Sequence, residues 1–158
     1  FVEREDIEEL AKTFGGVEHR NEFVREVGGV KYYNSSIDSS PSRTMAALSS
    51  YPVKPILICG GRDKHVPFDG LASEILNRAK ALVLTGEAKE QIFDAMQKAG
   101  CTDFPIVIRE DFTDAICAAR DMAQSGDVVL LSPACTSFDA FKNFEERGRK
   151  FKDIVNQF

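Results

Sequence analysis

Three stretches of the chain gather side chains that bind anions or donate hydrogen bonds. In Gly60-Gly61-Arg62-Asp63-Lys64-His65, two glycines follow the apolar run Ile56–Cys59, so backbone can come close to a ligand, and Arg62 and Lys64 supply positive charge. An anion is the guest such a loop takes; an ordinary surface turn is the competing explanation. In Ser132-Pro133-Ala134-Cys135-Thr136-Ser137-Phe138-Asp139, the hydroxyls of Thr136 and Ser137 suit a carboxylate or a helix cap. Cys135 has no histidine near it in sequence and reads as a packed thiol rather than a nucleophile. Asn34-Ser35-Ser36-Ile37-Asp38-Ser39-Ser40, ahead of Pro41, carries more side-chain oxygens and amides than one helix cap uses. His19-Arg20 is a pair able to hold a phosphate through charge-assisted hydrogen bonds, or simply to stand in solvent. Phe141 and Phe144 fit core anchors. No GxxxxGK[ST] run occurs, so phosphoryl transfer lacks its usual cradle in this chain.

For these groups to meet, the elements between them must place their loops on one edge. A helical pattern covers residues 3–12 and runs into Phe14-Gly15-Gly16. Glu22–Val27 and Val30–Asn34 are strand-like, and Gly28-Gly29 between them supplies the positive φ of a two-residue hairpin turn. Pro41 starts a helix. Strands then alternate with helices: Ile56–Cys59, helix 68–79, Ala81–Leu84, helix 89–99, Ile106–Ile108, helix 114–123, Val128–Leu131, and a last amphipathic helix bearing Phe144, Phe151, Ile154 and Val155. Short buried strands separated by helices predict an α/β fold with a mostly parallel sheet, helices on both faces and an N-terminal antiparallel hairpin. Ligands of such sheets sit beyond the carboxyl ends of the strands, which selects the loops 34–41, 60–67, 85–87 and 132–139.

Composition narrows the function classes. The 158 residues suit one domain, 1–158, with 43% hydrophobic and 28% charged residues, typical of a globular chain. Twenty Lys and Arg against 25 Asp and Glu leave a net charge of −5, which argues against a broad grip on nucleic acid. The apolar runs are strand-sized, well short of the ~20 residues of a membrane helix. The four cysteines show no CxxC pair and read as reduced thiols of a cytoplasmic protein, with no zinc site. The chain opens on Phe1 and shows no signal-peptide pattern; a piece of a longer protein is the expectation.

The long run from Leu130 through Ser132-Pro133-Ala134-Cys135-Thr136-Ser137-Phe138-Asp139 to Asn143-Phe144-Glu145-Glu146-Arg147-Gly148 closely resembles the LLSPACASxDxFxNFxxRG signature of the Mur ligases. His19-Arg20 and Gly60-Gly61 with Lys64 fall in the order of that family's C-terminal domain. The resemblance implies a Rossmann-like domain, without its UDP-binding and central ATPase domains, from an ATP- and magnesium-dependent ligase that adds D-glutamate to UDP-MurNAc-L-Ala. Carried over by position, Lys64, Ser137, Phe138, Phe144 and Ser39 line the amino-acid pocket, and His19, Arg20, Asn34 and Ser35 face the nucleotide. Against the NDSKATN form of the 34–40 loop, Ser35 replaces an aspartate and Ile37 a lysine, while Asp38 offers a carboxylate nearby. The competing readings are a stand-alone flavodoxin-like nucleotide-binding module and a sister ligase adding another amino acid.

Overall fold

A computed structural model describes residues 16–158, so the helical pattern over residues 3–12 lies outside the described residues. The elements run β1 (Glu22–Val27), β2 (Val30–Asn34), α1 (Pro41–Ser49), β3 (Ile56–Cys59), α2 (Asp69–Arg78), β4 (Ala81–Leu84), α3 (Lys89–Lys98), β5 (Ile106–Ile108), α4 (Phe112–Met122), β6 (Val128–Leu131) and α5 (Phe144–Val155). The strands form one sheet in the order β1-β2-β6-β3-β4-β5. The β1–β2 hairpin is antiparallel and closes at Val27 and Val30; every other pairing is parallel.

Strands β3, β4 and β6 are buried along their whole length, as continuous apolar runs require when helices cover both faces. Alternation along each strand divides the core in two. Leu57, Leu82, Leu84 and Leu130 pack with Leu48 of α1, Leu71 and Ile75 of α2, and Ile92 and Met96 of α3. Ile56, Ile58, Val83, Val129 and Leu131 pack on the other face with Ile116 and Ala119 of α4 and Phe151 and Val155 of α5. The fold is thus the α/β, Rossmann-like arrangement expected, hairpin included.

Helix α4 begins at Phe112, earlier than the apolar period suggests, because the Asp111 carboxylate accepts from the backbone N–H of Thr113 (2.8 Å) and Asp114 (3.1 Å). Asn143 does the same for α5, accepting from Glu146 N at 2.8 Å. The connectivity matters most at β3 and β6. These neighbours send the chain to opposite faces, β3 to α2 and β6 to α5, and the crevice beyond their carboxyl ends is the topological switch point of the sheet.

Candidate ligand site at the carboxyl edge of the sheet

Backbone bonds join the loops after β3 and β6 at this crevice. Gly60 N donates to Pro133 O and Arg62 N to Thr136 O, both at 2.8 Å, which makes Arg62 and Thr136 an isolated β-bridge. Gly61 lies between them with no room for a side chain, since a Cβ there would strike the Thr136 carbonyl. Beside the bridge opens a cavity of about 140 Å³ whose walls include Ser39, Arg62, Lys64, Phe68 and Cys135. Lys64 and Ser39, drawn from loops after different strands, therefore share one cavity.

Ser137, the second residue after Cys135, is buried, and its carbonyl accepts from Ala140 N (3.1 Å) and Phe141 N (2.8 Å). The loops bearing Lys64 and Ser137 thus converge on one rim. Phe138 stands 58% exposed beyond it. Phe144 opens α5, and its ring meets that of His19 edge to face at 5.9 Å rather than walling the cavity.

Arg147 holds the rim together. Its guanidinium is 2% exposed and donates from Nε to Ser36 Oγ (3.0 Å), from Nη2 to Ser36 O (2.8 Å) and from Nη1 to Cys135 O (3.0 Å). One side chain thereby ties the loop after β2 to the loop after β6. Burial pulls its pKa down to about 10, which leaves it charged near neutrality. Burial also pushes the Cys135 thiol up to about 12 and raises Cys59, so neither is a thiolate nucleophile at pH 7.

A second cluster lies on the β1–β2 side. His19 is only 3% exposed, in a left-handed conformation (φ 65°), and burial lowers its pKa. Its Nδ1 lies 2.9 Å from Asn34 Nδ2, whose other hydrogen reaches Glu22 Oε2 at 3.0 Å, so His19 is assigned the tautomer with its proton on Nε2. Gly148 makes this possible, because a Cβ on α5 at that point would strike the imidazole. Ser35 is fully buried, its Oγ accepting from Asn21 N at 3.1 Å. His19 and Asn34 thus belong to one internal network and Ser35 is buried next to it in the chain, while Arg20 faces outward. Together with Asn21, Asp38, Arg43 and Ser50, Arg20 lines an open cavity of about 330 Å³.

Asp38, 7% exposed, forms part of that wall; its Oδ2 lies 2.8 Å from Ser132 Oγ, which lies 2.9 Å from Thr44 Oγ1. Burial raises its pKa, against a pull from the hydroxyls of Ser35 and Ser132. Arg43 and Arg20 suit the edge of a phosphorylated ligand. Among the described residues no group of three His, Cys, Asp or Glu gathers to hold a metal ion, and no helix is long and apolar enough to cross a membrane. Sequence reasoning missed Arg147. Its signal was present, because Arg147 falls on the apolar stripe of α5 formed by Phe144, Phe151, Ile154 and Val155.

Residues 19–135 match the Mur ligase, glutamate ligase domain family, a span that takes in the hairpin, the Gly60-Gly61 loop and the first half of the 132–139 loop. The chain belongs to the Mur ligase family. It is 55% identical over 155 residues to a UDP-N-acetylmuramoylalanine–D-glutamate ligase of Clostridium novyi (strain NT), covering 96% of this chain and 34% of that protein. It is 49% identical over 158 residues to the ligase of the same name from Clostridium acetobutylicum, covering 98% and 34%. The chain therefore spans about a third of the length of these Mur ligase relatives. Among solved structures, a bifunctional folylpolyglutamate synthase/dihydrofolate synthase from Yersinia pestis CO92 superposes with a TM-score of 0.66 at 12% identity, over 98% of this chain and 35% of that one. A UDP-N-acetylmuramoyl-L-alanyl-D-glutamate–2,6-diaminopimelate ligase gives 0.58 at 17% identity, over 98% and 35%. At these identities the structures share the fold.

Proposed function

We propose that residues 1–158 form the C-terminal domain of an ATP-dependent, cytoplasmic amide ligase that adds D-glutamate to UDP-MurNAc-L-Ala in peptidoglycan precursor synthesis. The observation that carries this reading is the shared cavity of Ser39 and Lys64, walled by the same loop that bears Ser137. An ammonium and hydroxyls in a concave site at a switch point suit a small acidic amino acid. The Clostridium relatives carry the name of D-glutamate ligases, which supports D-glutamate as that amino acid.

The domain's contribution is positional. It holds the amino acid while the central and N-terminal domains present the activated acyl group, and closure turns a two-body encounter into a local one. ATP and magnesium are held mainly by the central domain. Arg20 and Arg43 reach the nucleotide from this side, with His19, Asn34 and Ser35 fixing the loop that carries Arg20 and Asp38 rather than touching the nucleotide. Phe138 covers the cavity mouth on closure.

The test is ADP release in the presence of UDP-MurNAc-L-Ala and D-glutamate. The full-length ligase is expected to turn over and the isolated chain is not. Titration of L-lysine and diaminopimelate in place of D-glutamate separates the sister-ligase reading, and activity with either of them but not with D-glutamate overturns the proposal.

A further inference from the structure

We propose that Arg62 is a second cation of the amino-acid pocket, pairing with the carboxylate that Lys64 does not reach. The inference rests on the reading above and extends it to a residue that neither the sequence resemblance nor the cavity's hydroxyls assign. Glutamate brings two carboxylates, and the 34–40 loop has Ile37 where a lysine would supply a further charge, so a pocket built on Lys64 alone leaves one carboxylate facing only hydroxyls.

Arg62 and Lys64 both line the 140 Å³ cavity. The root of Arg62 is fixed by the Arg62 N to Thr136 O bond, and its neighbour Gly61 is held by the bond from Ala88 N at 2.9 Å, while the side chain is exposed. The residue between them is an aspartate that would neutralise the pair if it faced them, yet it is engaged elsewhere. Asp63 Oδ1 accepts from His65 N at 2.7 Å, and Oδ2 accepts from Gln91 Nε2 at 2.8 Å and lies 3.1 Å from His65 Nδ1. The turn is closed by His65 in a left-handed conformation, φ 55°. Among the described residues no carboxylate lies within ion-pair distance of Arg62 or Lys64. The loop thus diverts its own anion and leaves two cations at one cavity. A guanidinium fork also suits a carboxylate better than a second ammonium would.

The experiment is steady-state kinetics of the full-length ligase carrying Arg62→Ala, Arg62→Lys or Lys64→Ala, with D-glutamate, ATP and UDP-MurNAc-L-Ala varied in turn. Arg62→Ala is expected to raise the KM for D-glutamate about tenfold or more. The other two KM values should stay within about twofold, a split that a general folding defect would not produce. Arg62→Lys should fall between, and the gap between wild type and Arg62→Ala should narrow as NaCl rises from about 0.05 to 0.5 M. An unchanged KM for D-glutamate in Arg62→Ala, beside a raised one in Lys64→Ala, overturns the role of Arg62 alone. An unchanged KM in both variants overturns the pocket itself, and with it the proposed function.

Discussion

Two cavities of the carboxyl edge, that of Ser39 and Lys64 and that of Arg20 and Arg43, handle charge differently. The cavity of Ser39 and Lys64 keeps its charges at the surface, on exposed Arg62 and Lys64, while the rest of its wall is the hydroxyl residues Ser39 and Ser40 and uncharged side chains such as Phe68 and Ala134. The cavity of Arg20 and Arg43 sinks a carboxylate into its wall at Asp38 and solvates it with the hydroxyl of Ser132. A surface cation costs little to keep and waits for a counter-ion. A buried carboxylate is held against a desolvation cost, and its hydroxyl shell exists to offset that cost. The first region is therefore built to capture charge, while the second adds to its own exposed cations, Arg20 and Arg43, a carboxylate kept in place.

Four substitutions break or sharpen that contrast. The largest effect belongs to Arg147, which serves both regions. Arg147→Met leaves Cys135 O and both acceptors of Ser36 without a donor inside the protein, and is expected to lower stability by about 3 kcal/mol, read from urea unfolding. A change under about 1 kcal/mol would mean the two loops hold without it. Next is Lys64→Ala, for which kcat/KM for D-glutamate in the full-length ligase should fall roughly 100-fold with little loss of stability.

Thr136→Val comes third. Thr136 is 8% exposed, and its Oγ1 is a buried atom without a hydrogen-bond partner among the described residues. Removing that hydroxyl while keeping the shape should raise stability by about 1 kcal/mol. A loss in the melting temperature would show that the hydroxyl has a partner in solution. The smallest effect is at Asp38. Its folded-state pKa is raised, so the folded chain holds the proton more tightly than the unfolded chain; this contribution to stability is complete below the unfolded carboxylate pKa of about 4 and is lost as pH rises through the folded value. Asp38→Asn should therefore melt higher than wild type at pH 7, with the gap closing toward pH 4. A gap independent of pH would place the origin elsewhere than the carboxylate.

Strand boundaries were legible because buried strands are written as contiguous apolar runs, and Gly28-Gly29 announced the hairpin. The position of β6 between β2 and β3 was not, since periodicity says that strands are parallel without saying which are neighbours. For the candidate site, the loops were legible and their pairing was not. The bridge of Arg62 to Thr136 joins residues far apart in the chain, and nothing local to either marks it. His19 shows the same limit. Beside Arg20 it reads as half of a phosphate-binding pair, but its burial depends on a helical glycine, Gly148, near the other end of the chain.

The place of β6 also bears on how the domain is made. A strand that follows all five others in the chain occupies a central position in the sheet, so during synthesis β2 and β3 have no shared neighbour until Val128–Leu131 leaves the ribosome. A nascent chain stalled before that point exposes two unpaired strand edges, a surface that invites chaperones or aggregation.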